Sequence, residues 1–309
     1  MKTTVLIAVH NRLAFTQRCV ESLRVASREK AVRYVVVDDG STDGTAEWLA
    51  GQPDIETLRG NGDLWFGGAT DLGIRFIIDN HGECTHLLII NNDTFVRPGA
   101  LDSIFEAAGG DERAVVAAAF WVEDRQCANS AGFRWLPWHG LTDACTLDEW
   151  RARHRIVDKN RRDLPVDAVA TTVTLFPMIL LRKIMLPSLR LHPHHRYDAV
   201  LSARLRSAGA HFICTTDLLA DHIYGPVTHR ATVRNMRVGR YLHESFRDPL
   251  SVWYLAGGLA LSWESAPDRL QACWAIAMRL GQFLRQLAWV SFNSVRCRSL
   301  QSEPDPKAA

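Results

Sequence analysis

The sequence has 309 residues, of which 47% are apolar, so it can bury a full core, and intrinsic disorder is excluded as its general state. Its 36 Lys and Arg residues against 34 Asp and Glu residues leave a formal charge of +2, which gives no reason to expect a nucleic acid partner. Seven scattered cysteines without a C-x-x-C pair suggest neither a disulfide framework nor a zinc site, and they favour a reducing compartment.

The first third of the chain alternates short β-branched runs with helical patterns, as βαβ units do. Residues 5–9, 34–37, 87–90 and 114–120 are predicted strands. Their apolar character is nearly continuous, which is typical of parallel strands that are covered on both faces. The pattern therefore predicts an α/β fold with a mostly parallel central sheet flanked by helices.

The middle and end of the chain follow different patterns. The periodicity weakens between about 121 and 165, which we interpret as irregular structure covering a site. Residues 166–176 predict a strand, 197–207 a helix and 212–215 the last strand of the core. From about residue 230 onward the sequence predicts helices rich in Trp and Arg.

Neither end of the chain predicts an export signal or a membrane span. The apolar run after Lys2 is far shorter than the core of a signal peptide, and His10 follows it at once. The apolar stretch at 270–295 is interrupted by glutamines and arginines, which are costly inside a bilayer. We therefore expect a cytoplasmic protein.

Polar residues follow three of the predicted strands, at 10–12, 38–39 and 91–93. Open α/β sheets bind their ligands at this edge. Acidic residues gathered there would repel one another, so we expect a bound Mg²⁺ or Mn²⁺, with Asp93 as the best candidate ligand. Alternatively, residues 91–94 form only a strand-to-loop turn with an Asx cap, and residues 38–44 only a turn and a helix cap.

A Gly-rich segment at 60–73 is similar to a phosphate cradle. It is neither the G-x-G-x-x-G fingerprint after the first strand nor a Walker loop. Nicotinamide cofactors and P-loop chemistry are therefore disfavoured.

Four short signals occur in a fixed order, at residues 9–12, 36–43, 61 with 67–73, and 91–94. This order resembles family 2 glycosyltransferases with a GT-A nucleotide-sugar-binding fold. It is most similar to their rhamnosyltransferase-like and galactofuranosyltransferase-like branch, which builds bacterial surface polysaccharides. The resemblance covers about the first 100 residues.

The resemblance implies roles for individual residues. Asp38 receives the nucleotide base, and Asp93 binds a divalent metal where the family has a D-x-D motif. Asn91 replaces the first Asp of that motif, and an amide oxygen carries no charge, so Asp93 must supply most of the electrostatic attraction. The predicted contacts with the nucleotide sugar are Val9, His10, Asn11, Arg12, Asp38, Asp39, Asn61, Gly68, Asp71, Asn91 and Asn92.

A second part of the resemblance lies at 197–209. Aligned on Arg204 and on the glycine after the helix, Asp198 falls at the position of the catalytic base. The family often has three acids here, and Tyr197 and Val200 stand in place of the other two. Alternatively, Asp198 is an acid in the first turn of a helix that favours the macrodipole.

Similar enzymes often supply a downstream histidine to the metal, which makes His222 a candidate second ligand. A hydrogen-bonded structural histidine is the alternative. Residues 167–172 match the acceptor-side strand in position, although relatives often carry Gly where this chain has Thr.

The segment at 269–302 contains five arginines and no acidic residue. It fits an interfacial helix that is attracted to anionic lipid. A helix that packs on the catalytic domain with solvated arginines is the alternative. The arginines are Arg269, Arg279, Arg285, Arg296 and Arg298.

These features predict an inverting, metal-dependent glycosyltransferase. It would move a sugar from a nucleotide-sugar donor to a hydroxyl group of a cell-surface glycan, a lipopolysaccharide or a lipid-linked acceptor. The alternatives are a non-catalytic nucleotide-sugar-binding assembly subunit and a sugar nucleotidyltransferase. We expect the protein in the cytoplasm, peripheral on the inner face of the plasma membrane through contact with anionic lipid.

The predicted domain organisation follows from the same resemblance. A GT-A catalytic domain spans 1–229, with a nucleotide-binding half at 1–110 and an acceptor and catalytic half at 111–229. A helical region follows at 230–298, and a disordered tail at 299–309.

Overall fold

One sheet organises the chain in the computed structural model, which describes residues 1–28, 30–123, 126–129, 132–136, 140–141, 163–223, 238–248 and 254–301. Only the backbone is described for residues 136, 140, 141 and 292–301. The sheet has ten strands and places the buried apolar core on both of its faces. This confirms the predicted α/β fold with a mostly parallel central sheet flanked by helices.

The first half of the chain is a run of βα units in which strand pairing is parallel. The first strand pairs with the second on one side and with the fourth on the other, and the third joins the second. The strands are almost fully buried because helices cover both faces. The elements are β1 Thr3–Val9, α1 Leu13–Ala26, β2 Val32–Asp38, α2 Thr45–Ala50, β3 Ile55–Arg59, α3 Trp65–Asn80 and β4 His86–Asn91.

The second half extends the sheet with mixed pairing. The described elements are β5 Thr94–Val96, α4 Ala100–Ala108, β6 Ala114–Val122, β7 Cys127–Asn129, β8 Gly132–Phe133, β9 Trp135–Leu136, β10 Gly140–Leu141, β11 Asp163–Val166, β12 Ala168–Val169, β13 Val173–Pro177, α5 Met178–Leu181, α6 Tyr197–Ser207 and β14 His211–His222. Strand β13 lies antiparallel between β4 and β6, and β14 runs parallel to β6. The sheet order is β11-β14-β6-β13-β4-β1-β2-β3.

The structure differs from the sequence interpretation in three places. The predicted strand at 166–176 is divided among β11, β12 and β13, with a turn at Thr171 and Thr172. The strand predicted at 212–215 continues to His222, past register shifts after Cys214. The region at 121–165 was predicted to be irregular, and its described parts form short strands; Trp138 and Trp150 lie outside the described residues.

The described residues after the sheet form three helices: α7 Val238–Phe246, α8 Leu255–Ser265 and α9 Arg269–Gln301. Helix α8 packs against α6, and α9 packs against α8 and α7. Helix α9 continues past the predicted boundary at 298. Within the described part of the chain, no helix is long and apolar enough to cross a membrane.

Arg204 connects α6 to this helical layer. Its guanidinium forms a bidentate pair with Glu264 at 2.7 and 3.1 Å, and it also donates to the carbonyls of Met185 and Leu186. Both charged side chains are mostly buried, at 21% and 25% exposed. Charged hydrogen bonds in such surroundings contribute more than surface ion pairs do.

We expect Arg204→Ala to lower the free energy of unfolding by about 2 kcal/mol, because it removes these bonds and leaves Glu264 without Arg204 as partner. A matched control is Arg240→Ala, which breaks an Arg–Glu pair on the surface of α7 and costs at most about 0.5 kcal/mol. Urea titrations of both variants measure the difference. Equal effects of the two substitutions would contradict the structural role of Arg204.

Candidate active site

Three polar segments meet at the carboxyl edge of the sheet. Strand β1 pairs with its neighbours so that Val9 lies beside Asp38 and Ala8 beside Asn91. The segments that follow β1, β2 and β4 therefore begin side by side, at the edge where open α/β sheets bind ligands. The structure brings together these predicted site residues.

The turn after β1 is fastened to the turn after β2. The backbone N–H of Asn11 donates to Ser41 Oγ at 2.7 Å, and Asn11 Oδ1 accepts from the backbone N–H of Thr42 at 2.8 Å. His10 Nδ1 donates to the carbonyl of Asp39 at 2.5 Å. Asn11 and Arg12 adopt left-handed backbone conformations, with φ of 58° and 65°. These contacts hold a strained turn in one shape.

The two adjacent carboxylates of this edge point in different directions. Asp38 is fully buried, and its Oδ1 accepts from the backbone N–H of Ser41 at 3.0 Å. Asp39 faces the Gly-rich loop, where its two oxygens accept from the backbone N–H groups of Gly62 at 2.8 Å and Trp65 at 3.0 Å. Asp38 therefore supports the turn from below, and Asp39 borders the open space above it.

Gly60 is required for this approach. A Cβ at Gly60 would lie 2.5 Å from Asp39 Oδ1 and 3.0 Å from Asp39 Cα, so a side chain would push the loop away from the carboxylate. The Gly-rich segment predicted as a cradle is thus a loop shaped by one carboxylate.

A cavity of about 360 Å³ opens above these turns. It combines cationic, anionic and aromatic groups, as sites for polar ligands do. Its lining includes Val9, His10, Arg12, Asp39, Gly62, Trp65, Phe66, Asn92 and His194. A larger cavity of about 620 Å³ lies beside Met1 and His86, at the opposite edge of the sheet, where ligands of open α/β sheets do not bind.

Trp65 and His194 are among the lining residues that were not predicted as site residues. Trp65 is 45% exposed, and its ring lies 5.9 Å from that of His194. Burial lowers the pKa of His194, so a neutral imidazole faces the cavity at neutral pH. Trp65 could have been predicted because it lies within the Gly-rich segment. His194 could not, because it reaches the cavity through tertiary packing.

The segment after β4 carries the predicted metal ligands. Asp93 Oδ2 accepts from Arg12 Nη1 at 2.8 Å, and Asp93 Oδ1 lies 3.4 Å from His222 Nδ1. The same imidazole nitrogen lies 2.8 Å from Thr94 Oγ1. The pairing of β14 with β5 places His222 beside Thr94, which explains how a residue so far along the chain reaches Asp93.

Two oxygens of this segment fit a hard cation. Among the described residues, buried Asn91 Oδ1 and Asp93 Oδ1 have no hydrogen-bond partner. Buried polar atoms are normally satisfied, and Mg²⁺ or Mn²⁺ takes carboxylate and amide oxygens. The described residues contain no group of three His, Cys, Asp or Glu side chains, so a cation here relies also on Asn91, substrate phosphates and water.

Three other predicted contacts lie around the start of α3. Asp71 forms an ion pair with Arg75 at 2.6 Å, and the Asp71 side chain is 9% exposed. Gly68 is buried in the first turn of α3, and Asn61 is exposed. None of these three lines the cavity in the described structure. Their contact with a ligand stays a prediction.

Asp198 lies in the first turn of α6. The start of α6 is tied to the start of α3, because the backbone N–H of Gly67 donates to the carbonyl of Pro193 at 2.8 Å. The rings of Phe66 and Tyr197 also meet edge to face. Neither Asp198 nor Asp93 is among the cavity-lining residues. Asp93 follows the lining residue Asn92 and contacts Arg12, whereas Asp198 follows Tyr197, whose ring packs on the lining residue Phe66.

The surroundings of Asp198 change its acidity. Burial raises its pKa to about 6, against the opposing effect of a 2.8 Å hydrogen bond from the backbone N–H of Ala199. A carboxyl group with this pKa is ionised at neutral pH and is still a stronger base than an ordinary aspartate. Chemically, it can accept a proton from a hydroxyl group.

Comparison with known proteins gives an independent view of the fold. A model of the family described as glycosyl transferase family 2 matches residues 4–165. A crystal structure of GalNAc-T7 with UDP, GalNAc and Mn²⁺ superposes with a TM-score of 0.58 at 14% identity, covering 93% of this chain and 54% of that chain. Among curated protein sequences there is no match.

S. aureus TarS 1-349 in complex with UDP-GlcNAc is also similar, with a TM-score of 0.58 at 13% identity, covering 91% of this chain and 72% of that chain. At these identities the likeness shows the fold, which is GT-A. The chain spans about half the length of the GalNAc-T7 chain.

We expect Asp198→Asn to stabilise the fold at neutral pH. Because the folded-state pKa is raised, the stability that Asp198 provides is complete below pH 4 and is lost as pH rises through 6. Asparagine avoids burying the charge, so the variant should gain about 2 kcal/mol at pH 7.5 and lose that gain toward pH 4. Chemical unfolding at several pH values measures this.

The matched control is Asp102→Asn, which replaces an exposed acid in the first turn of α4. This control should lose a little stability, because a first-turn acid favours the helix dipole. If Asp198→Asn also loses stability at pH 7.5, Asp198 acts on the dipole and its burial is not costly.

Proposed function

We propose, from the premise that this chain belongs to glycosyl transferase family 2, that it transfers a sugar from a nucleotide-sugar donor to an acceptor hydroxyl with inversion at the anomeric carbon. The observation that carries the proposal is the junction of three polar strand ends above β1, β2 and β4, beside a cavity that combines Arg12, Asp39 and Trp65.

The cavity supports donor binding. Arg12 supplies a cation for phosphate, and Trp65 and His194 supply flat faces for a base or a sugar. The related structures hold UDP, UDP-GlcNAc, or UDP with GalNAc, so uridine diphosphate sugars are the first donors to test. Among the other predicted contacts with the nucleotide sugar, Asp38 is fully buried and supports the turn below the cavity, and contact of the remaining residues with the donor stays a prediction.

A divalent cation is part of the proposal. Asp93 would hold it, with His222 and the amide oxygen of Asn91 as further ligands; the unsatisfied oxygens of Asn91 and Asp93 support this. When bound, the cation supplies charge that stabilises the departing diphosphate. Arg12 contacts both Asp93 and the cavity, so it places a second positive charge beside the same phosphates.

Asp198 is the proposed general base. As the acceptor oxygen forms its bond to the anomeric carbon, the bond from that carbon to the diphosphate breaks and its electron pair leaves with the diphosphate. The hydroxyl proton passes to Asp198, whose pKa of about 6 suits a base at neutral pH. Attack opposite the leaving group inverts the anomeric carbon.

The acceptor is a hydroxyl group of a cell-surface glycan, a lipopolysaccharide or a lipid-linked saccharide, and the protein works in the cytoplasm at the inner face of the plasma membrane. The likeness of residues 9–12 and 36–43 to the polysaccharide-building branch supports this choice of acceptor. Helix α9 then contacts the membrane, and the region at 1–229 carries both substrates.

A non-catalytic nucleotide-sugar-binding subunit is the second candidate. It is favoured by one observation: Tyr197 and Val200 occupy positions where acids often flank the base, and both are fully buried. The two candidates differ in whether Asp198 is needed for transfer.

We expect Asp198→Asn to reduce sugar transfer by about 10²-fold or more while binding of UDP stays within about twofold, because the base is lost and the cavity is intact. For the parent, kcat/KM should rise with pH through about 6 and then level. Steady-state kinetics with the accepted UDP-sugar measure both. Asp102→Asn, which alters an acid in the first turn of α4, should retain parent rates, and parent rates from Asp198→Asn would exclude the base assignment.

We expect Mn²⁺ to increase the thermal stabilisation that UDP provides, and Asp93→Asn to abolish this metal-dependent increment. The matched control is Asp221→Asn, which alters a neighbouring carboxylate on β14 that pairs with Arg97. Thermal shift assays compare each variant with its own ligand-free form. An increment in Asp93→Asn as large as in the parent would place the metal elsewhere.

A further inference from the structure

Exposed apolar side chains concentrate on one helix. Of the fourteen large apolar residues that are exposed in the described part of the chain, six lie on α9. Single exposed apolar residues are normal on soluble proteins, whereas a contiguous patch marks an interaction surface. The six are Leu270, Trp274, Met278, Leu280, Leu284 and Trp289, and we call them the outer face of α9.

Helix geometry places these six on one side. Leu270, Trp274 and Met278 follow at intervals of four residues, so they form a row along the helix. At about 100° per residue, all six fall within about half of the helix circumference. The exposed fractions of the six side chains range from 38% at Met278 to 73% at Leu270.

Three polar side chains of α9 form hydrogen bonds with the rest of the protein. Gln271 Oε1 accepts from Trp135 Nε1 at 2.8 Å, and Arg279 Nε donates to Ser262 Oγ at 3.2 Å. Gln286 Oε1 accepts from the hydroxyl of Tyr241 at 3.0 Å. Apolar residues of α9 also face the protein, since Ala272, Ala275 and Val290 are buried. Helix α9 therefore carries apolar residues on its inner side and on its exposed side, whereas a surface helix normally keeps the exposed side polar.

The charge of α9 identifies the partner. Its 33 residues include five arginines and no acid, and Arg269 and Arg285 are exposed. A second copy seated on the same face would bring like charges together, because a symmetric interface repeats the same patch. An anionic lipid surface offers both apolar depth and opposite charge.

We propose that the outer face of α9 lies in the surface of an anionic bilayer, with Trp274 and Trp289 at the level of the lipid head groups. The helix lies on the membrane and does not span it, since Gln271, Arg279 and Gln286 interrupt its apolar character. The proposal deepens the membrane contact of the proposed function and rests on that function only for its lipid-linked acceptor.

Docking through α9 also positions the catalytic half. Helix α9 packs on α8, and α8 is joined to α6 by the Arg204–Glu264 pair. Asp198 lies in the first turn of α6, so the proposed base is joined to a membrane-bound α9 through the contacts of α9 with α8 and of α8 with α6.

Flotation of the full-length protein with vesicles tests the proposal. The parent should float with vesicles of phosphatidylcholine containing 30% phosphatidylglycerol at low salt, and binding should fall about tenfold or more at 0.5 M NaCl or on neutral vesicles. The double variant Trp274→Gln, Leu284→Gln should lose binding about tenfold or more, because it removes two inserted side chains.

Three controls separate the outcomes. Met185→Gln alters a residue that is 79% exposed in the loop before α6 and should bind as the parent does. Asp198→Asn should also bind as the parent does, so failure of the catalytic proposal leaves this one intact. Unchanged thermal unfolding and UDP binding of the double variant establish that it is folded.

Two results would overturn the proposal. One is failure of the parent to float with anionic vesicles at low salt. The other combines two observations: flotation of the parent does not depend on lipid charge, and light scattering shows parent dimers that the double variant does not form. That result would assign the outer face of α9 to contact between copies of the chain.

Discussion

The site depends on the hydrogen bonds of a single residue, Asp39. Its carboxylate accepts from the backbone of Gly62 and Trp65, and its carbonyl accepts from His10. These bonds join the loops after β1, β2 and β3, so the floor and one wall of the cavity are positioned together. The two bonds to the carboxylate contribute about 1.5–3 kcal/mol each and fix the loop after β3. The left-handed turn at Asn11 and Arg12 is held by the bonds of Asn11 to Ser41 and Thr42 and by the bond of His10 to the Asp39 carbonyl.

The opposite wall has a different origin. The loop before α6 approaches α3 because Gly67 has no side chain: a Cβ there would lie 2.6 Å from the carbonyl oxygen of Pro193. This close approach brings His194 to the cavity and leaves Asp198 in surroundings that raise its pKa. A buried, basic carboxylate costs stability at neutral pH, and the bonds that Arg204 makes to Glu264 and to the loop carbonyls offset that cost by securing the same helix.

Much of the fold follows from the sequence because buried parallel strands are continuous apolar runs, as at β1, β2 and β4, and the predicted helix at 197–207 matches α6. The polar residues that follow these strands were predicted from the sequence in the same way. The sequence does not show which way a side chain points. Asp38 and Asp39 are adjacent and of the same type, but side chains alternate along an extended chain. Asp38 is therefore fully buried, and Asp39 borders the cavity. Strand β14 was too short in the prediction because its register shifts after Cys214 interrupt the period, although His222 beyond them still reaches Asp93.

The C-terminal helix is another element for which the sequence alone leaves two alternatives open. From composition alone, an arginine-rich helix with tryptophans fits both packing on the protein and contact with lipid. In the structure these alternatives occupy different sides of α9: Arg279 and Gln286 bond inward, and Trp274 and Leu284 face outward. The inner side also buries Ala272, Ala275 and Val290, so apolar packing and the hydrogen bonds to Ser262 and Tyr241 fix the orientation of the helix together. The second set of apolar side chains is then left for an outside surface.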